Sequence, residues 1–361
     1  MIDPRPYFSR PNNLQRIRRL RVIALLPVLL AAIANTGYQY VRALDLNNGS
    51  GAGGWREGLI QSFGFNAAEP GIYGIVIAGI VHVLSTIFIA TLAGGILERM
   101  SCSSQHRKFD SGILYTALVF SLLMPPAASV FHIVFGMTLG LLLGQLIFGG
   151  EGKSFLSPAL VGVAIVQISF PGALTSHSLW NQINGYAGTS VFDNYHTQGS
   201  AALVWADIDW WHAFAGNIQG LLGTTSTLAI LIGAVILIYG RLASWRILLG
   251  QVIGLAIAAG ICNAIGTGIL DLPWHWHLVL GSFAFGAVYI ATDPSSSCAT
   301  NSGRWLQGIL IGLLVVLLRV LNPSHPDGVI PVLLITSMLA PTIDHIVIWF
   351  NIRRRASAHG G

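Results

Sequence analysis

Three carboxylates interrupt otherwise apolar parts of this chain. Asp293 precedes Pro294 and a run of Ser295, Ser296 and Ser297. Asp344 sits inside a long apolar stretch beside His345, and Asp327 lies in the turn Pro326-Asp327-Gly328. A carboxylate at the centre of a bilayer costs at least ~2.5 kcal/mol, so each is a candidate for an ion path. Each also has a plainer reading: a helix cap for Asp293, a turn residue for Asp327, and for Asp344 a partner of His345 or of an arginine near the C-terminus. Thr224, Thr225, Ser226 and Thr227 follow Gly223 at a helix start, where hydroxyls and free N–H groups either cap the helix or hold an anionic group or a file of water. His82 and His132 fall mid-stretch, as hydrogen-bonded packing residues or as relay and cofactor contacts. Trp274-His275-Trp276-His277 reads as an interfacial anchor, because no carboxylate or cysteine is near enough in sequence to complete a metal site. Cys102, Cys262 and Cys298 are isolated, with no CxxC pair, and so support neither a metal centre nor a disulfide framework.

The elements that must position these groups are membrane helices. Of the 361 residues, 53% are hydrophobic and only 9% charged, against about 25% charged in soluble domains. A spanning helix needs about 20 mostly apolar residues. Ten stretches qualify, near 20–42, 71–97, 112–126, 127–148, 155–170, 212–239, 247–265, 278–292, 306–321 and 329–350. Several are short, which is tolerated where a broken helix lines a protein-buried site. The net charge of +5 is no nucleic-acid signal, because the basic residues cluster at span ends: Arg16, Arg18, Arg19 and Arg21; Arg99, Arg107 and Lys108; Arg241 and Arg246; Arg304; and Arg353, Arg354 and Arg355. With the N-terminus in the cytoplasm, every one of these clusters lands inside, as the positive-inside rule requires. The loops 172–211, 266–277 and 322–328 hold no Lys or Arg and face outward. Both termini are then cytoplasmic, with no cleavable leader expected. The organisation is an arm over 1–19, a membrane domain over 20–350 and a basic tail over 351–361. The aromatics of 172–211, among them Trp180, Trp205, Trp210 and Trp211, suit an interfacial belt.

Ten spans divide into five plus five, and an odd number per half inverts the second half. Such an inverted repeat places a site at mid-depth between broken helices. Breaks are expected at Met124-Pro125-Pro126, at Phe148-Gly149-Gly150 with Ser157-Pro158, at Gly216, Gly220 and Gly223, at Thr292-Asp293-Pro294, and at Pro341.

These motifs, in order, resemble one family. The stretch Pro273-Trp-His-Trp-His277 continues through Phe283-Ala-Phe-Gly, Ala291-Thr-Asp-Pro294 and Thr300-Asn-Ser-Gly-Arg304 to Arg319-Val-Leu-Asn-Pro323 and Asn351-Ile-Arg-Arg354. Upstream stand Leu92-Ala-Gly-Gly95, Met124-Pro-Pro126, Phe148-Gly-Gly150, Ser157-Pro-Ala-Leu160 and Ser226-Thr-Leu-Ala. From about residue 20 to the C-terminal arginines, the chain resembles the NqrB subunit of sodium-pumping NADH:quinone oxidoreductases (NQR) and its relative, the RnfD subunit of Rnf electron-transport complexes. The resemblance implies an all-α bacterial inner-membrane subunit of ten helices with an inverted-repeat core. It implies FMN joined by phosphoester to an outward-facing hydroxyl, with riboflavin as a further flavin of the complex. Ubiquinone would be the substrate of the complex, Na+ the moved ion, and other membrane and flavin subunits the partners. NADH would bind elsewhere, since no GxGxxG phosphate cradle is present.

Aligned with the family's flavin motif, this chain reads Asn184-Gly185-Tyr186-Ala187-Gly188-Thr189-Ser190. Ser190 takes the flavin-bearing register and Thr189 falls one residue early. Gly149 and Gly150 match the segment associated with quinone, and Asp293, Asp327 and Asp344 are the acidic residues left for an ion path. Departures fall on charged positions: the family's Asp is Asn184, its Gly-Glu is Gly223-Thr224, its Lys-Glu is Gln145-Leu146 and its Gly-Arg is Gly162-Val163. A redox subunit with covalent flavin is one reading. The other is a flavin-free scaffold or a passive conduit for ions or small solutes that keeps the fold.

Overall fold

A computed structural model describes residues 11–46, 54–64, 71–104, 112–150, 154–171, 209–266, 272–322 and 327–359. All regular structure among them is helical. In chain order the helices are α1 (Pro11–Leu46), α2 (Trp55–Ser62), α3 (Gly71–Ser104), α4 (Ile113–Leu122), α5 (Val130–Leu141, extended by a π turn Leu142–Leu146) and α6 (Pro158–Ser169). They continue with α7 (Trp210–Ala215), α8 (Thr227–Tyr239), α9 (Trp245–Ile265), α10 (Trp274–Val279), α11 (Phe283–Phe285, extended by a π turn Gly286–Ile290), α12 (Asn301–Leu321) and α13 (Val329–His359).

Among the described residues, four helical stretches are long and apolar enough to cross a membrane: Gly71–Cys102, Trp245–Ile265, Asn301–Leu321 and Val329–Arg354. Four shorter apolar ones accompany them: Ile113–Leu122, Val130–Leu146, Pro158–Ser169 and Thr227–Tyr239. At 1.5 Å per residue, stretches of 10 to 17 residues reach about half to five-sixths of the hydrocarbon thickness. Pieces this short suit the broken spans expected from the sequence. Four of the expected breaks are present: after Leu122, after the π turn at Leu146 with Gly149 and Gly150 at φ 98° and 103°, at Gly216 with φ 110°, and over 291–300. The fifth is absent, because α13 runs unbroken through Pro341, just as α1 runs through Pro27.

Large apolar side chains point outward as well as inward. On α1 the exposed residues include Ile23, Leu26, Leu30 and Tyr38, while Leu25, Val28 and Ala32 are buried. That pattern suits a lipid-facing surface, where no hydrophobic force draws helices together and close van der Waals packing must do it instead. Small residues mark those contacts. Gly250 and Gly254 of α9 face Gly308 and Gly312 of α12, and a Cβ at Gly254 would overlap the carbonyl of Ile309. The pairs α9 with α12, α1 with α3, and α5 with α6 form the principal packings of the bundle. Buried residues of α1, α3, α4, α5, α6, α8 and α12 share one continuous core.

Candidate functional site

The site is organised by one face of α1. Arg21, Leu25, Val28, Ala32, Asn35 and Gln39 recur at intervals of three or four, so they form a single stripe. Its ends are polar and its middle, Leu25, Val28 and Ala32, is apolar and at most 2% exposed. Arg21 and Gln39 are separated by ~27 Å along the axis, close to the full hydrocarbon thickness.

At the Gln39 end, two interrupted helices meet. The C-terminus of α4 leaves carbonyls without intrahelical donors. The segment leading into α8 supplies them: Leu222 N–H donates to Met124 O (3.1 Å) and Gly223 N–H to Leu122 O (2.7 Å). Only glycine allows that approach, since a Cβ on Gly223 would come within 2.6 Å of Leu122 Cβ. Helix α8 then starts at Thr227, with Ser226 as N-cap accepting from Ala229 N–H at 3.3 Å. The capping reading of the Thr224–Thr227 run therefore describes Ser226. Thr224, Thr225 and Thr227 are buried around it.

Above this junction lies a small, open cleft, with room for about one water-sized particle, lined by Asn35, Thr36, Gln39, Pro126, Gln219 and Gly220. Asn35 donates to Ile218 O (2.9 Å), and Gln39 donates to Asn35 Oδ1 (3.5 Å). Thr224 and Thr225 lie directly beneath Gly220. Among the described residues, the lining offers amide, hydroxyl and carbonyl oxygens and no carboxylate. Neutral oxygens of this kind can replace water around a hard monovalent cation.

Arg56 of α2 stands behind the Pro126 wall. Its side chain is 1% exposed. The guanidinium donates to Pro126 O (3.1 Å), Ala128 O (3.1 Å), Ser85 Oγ (3.2 Å) and Thr86 Oγ1 (3.5 Å), so it clasps the loop between α4 and α5. Every one of these acceptors is uncharged. Burial lowers its pKa to about 10, which leaves it cationic at neutral pH.

At the other end of the stripe, Arg21 pairs with Asp293 (3.2 Å) in a half-buried ion pair. The Arg21 guanidinium also lies 5.4 Å from the Tyr115 ring centroid. Tyr115 Oη donates to Tyr289 O (3.2 Å), and Tyr289 Oη donates to Ala24 O (2.7 Å), passing through space that Gly233 leaves open. These bonds tie α1, α4 and the π turn after α11 together between the apolar plug and the ion pair.

The other sequence candidates are dispersed. Asp327 accepts from Ser282 N–H (3.0 and 3.1 Å), from the Ser282 hydroxyl and from Arg319 Nη2 (3.2 Å). Arg319, 1% exposed, also donates to His277 O, Leu280 O and Asp327 O, and faces His277 Nδ1 at 3.1 Å. A ring nitrogen beside a guanidinium must accept, so His277 is neutral there. Asp344 accepts from Ala299 N–H (2.7 Å), Thr300 N–H (3.0 Å) and Thr300 Oγ1 (2.5 Å), and so anchors the start of α12 rather than pairing with His345. Asp293 is thus the acidic candidate on the α1 stripe, while Asp327 and Asp344 hold neighbouring elements. Gly149 and Gly150 close the π turn beyond α5. His82 packs on Tyr40 and bonds Ala78 O, as a packing residue would. The flavin-motif residues Asn184, Gly185, Gly188, Thr189 and Ser190 lie outside the described residues.

Asn35, Gln39, Gln219, Arg56, Tyr115 and Tyr289 escaped the sequence reading. Asn35 and Gln39 carried a usable signal, since two amides four residues apart within an apolar helix share one face. Arg56 carried none, because an arginine in a polar loop reads as solvated.

Comparison with known proteins gives the family of the chain. The model of the NQR2, RnfD, RnfE family matches residues 1–353. The B-subunit of the Na(+)-translocating NADH-quinone reductase of Azotobacter vinelandii is 36% identical over 349 residues, covering 95% of this chain and 86% of that protein. The B-subunits of the same enzyme from Chromohalobacter salexigens and Pseudomonas aeruginosa are 37% and 35% identical, each over 95% of this chain and over 84% and 87% of their own lengths. A family match of that extent settles the membership: the chain belongs to the NQR2, RnfD, RnfE family.

Proposed function

We propose that this chain is a membrane subunit of an NQR-type NADH:quinone oxidoreductase, sitting in the bacterial inner membrane beside other membrane and flavin subunits. The observation that carries the reading is the match over residues 1–353 to a family whose members include B-subunits of such an enzyme. The polar-ended stripe on α1 supports an ion route through the subunit. Neutral oxygens of Asn35, Thr36, Gln39 and Gln219 would receive the ion on the outer side. Leu25, Val28 and Ala32 form the plug, and Asp293 with Arg21 stands at the cytoplasmic end. Asp327 and Asp344 act on this route by fixing the helices that flank it. Na+ is the ion that the relatives' names imply, and quinone the electron acceptor, with Gly149 and Gly150 bordering the quinone region.

Ser190 is assigned to hold FMN, with Asn184, Gly185 and Gly188 shaping its loop and Thr189 as the neighbouring hydroxyl. A serine hydroxyl suits the chemistry, since its oxygen can form the same phosphoester as a threonine's. FMN, once attached, supplies the electron relay, and the chain contributes the attachment oxygen and the outward placement of the loop. The test is to purify the full chain from membranes with the flavin transferase co-expressed and to inspect the denatured protein for in-gel flavin fluorescence. A fluorescent band in the wild type and none in Ser190→Ala is expected. An absent band in the wild type would favour the flavin-free conduit instead.

A further inference from the structure

The cleft at the Gln39 end is lined by neutral oxygens, yet it lies against a buried positive charge. Arg56 is held by two carbonyls and two hydroxyls, and among the described residues it faces no carboxylate. One of those carbonyls belongs to Pro126, which also forms the cleft wall. Glu57, the next residue on α2, is half-buried and takes a hydrogen bond from Gln61 on the same helix. An unneutralised guanidinium in a low-dielectric wall projects its field into the adjoining space, where water screens it poorly. A cation entering the cleft is therefore repelled, although the oxygens lining it would otherwise solvate one.

We propose that Arg56 is a specificity-determining residue: a fixed positive charge, held beside the cleft wall by α2, that closes the outer mouth of the ion route to Na+ returning from outside. A pump must prevent its ion from running back down the gradient, and the membrane potential drives cations inward with ~2.3 kcal/mol per 100 mV. The apolar plug at Leu25, Val28 and Ala32 blocks the middle of the stripe, and the charge at Arg56 guards its entrance. The inference rests on the reading of the cleft as the mouth of an ion route, and it concerns cations only.

The experiment reconstitutes the full chain into liposomes, with Leu25→Ala and Val28→Ala in every sample to open the apolar plug, imposes an interior-negative potential and follows Na+ entry with a Na+-sensitive dye. In that background the chain that keeps Arg56 (the wild type of this series) and Arg56→Lys, which keeps the charge, are expected to stay near the rate of empty liposomes. Arg56→Gln is expected to admit Na+ at least about tenfold faster, with no increase in uptake of an uncharged solute of similar size. Gln219→Glu, which leaves the Arg56 clasp untouched and adds a carboxylate to the cleft, is expected to raise Na+ entry as well and decides the matter if Arg56→Gln does not fold. Equal leakage through Arg56→Lys and Arg56→Gln, or uncharged-solute uptake rising with Na+, would mean that the clasp matters and the charge does not. A wild type that already leaks would overturn the barrier alone. No Na+ entry in either Arg56→Gln or Gln219→Glu would overturn the route reading and the barrier with it.

Discussion

At the scale of single residues, polar groups at depth divide into those that hold the bundle and those that line a space within it. Arg319 belongs to the first kind. It donates to three backbone carbonyls and to Asp327, and Asp327 in turn holds Ser282 at the break before α11. Arg319→Ala would leave three buried backbone carbonyls without their donor, while Asp327 keeps its bonds from Ser282, a loss of about 3 kcal/mol. The melting temperature of the detergent-purified protein should fall by many degrees, and an unchanged value would show that the cluster is dispensable. Sequence alone named Asp327 but not its partner, because Arg319, eight residues earlier at the end of α12, reads as a basic residue capping the last turn of its helix. Ser190 is singled out only through the family's motif, since nothing in the composition of its loop distinguishes that hydroxyl from its neighbours.

At the scale of elements, breaks and crossings follow from backbone chemistry that can be read directly. Pro125-Pro126, Gly149-Gly150 and Gly216 end helices where they were expected to, because consecutive prolines remove two donors and glycines adopt left-handed φ. Pro341 does not break α13, because transmembrane helices tolerate a proline where neighbouring polar groups and local adjustment accommodate the freed carbonyl. In the turns before it, Thr336 and Ser337 hydroxyls bond back to Val332 and Leu333 carbonyls. A single proline is thus a weaker stop than the pattern suggests. The tight crossing of α9 on α12 rests on glycines that the sequence shows but whose pairing it does not. Gly254→Leu should force the helices apart at Ile309 and destabilise the protein by roughly 1–3 kcal/mol, measurable as a lower midpoint in denaturing-detergent titration. Unfolding at the wild-type midpoint would mean that the crossing contributes little.

At the scale of the whole molecule, the account depends on α1 crossing the bilayer with a different polar environment at each end. The membrane class was legible from composition, because lipid solvation acts on every residue at once. The cleft was not legible, because it is assembled from α1, the α4–α5 loop and the α7–α8 loop, which are distant in sequence. The most direct measurement is cysteine accessibility in intact membranes, with Cys102, Cys262 and Cys298 replaced by serine and one cysteine introduced at a time. The account predicts that Gln39→Cys reacts with a membrane-impermeant maleimide from the outer face only, Asp293→Cys from the cytoplasmic face only, and Ala32→Cys from neither. Labelling of Gln39→Cys and Asp293→Cys from the same face, or ready labelling of Ala32→Cys, would contradict it.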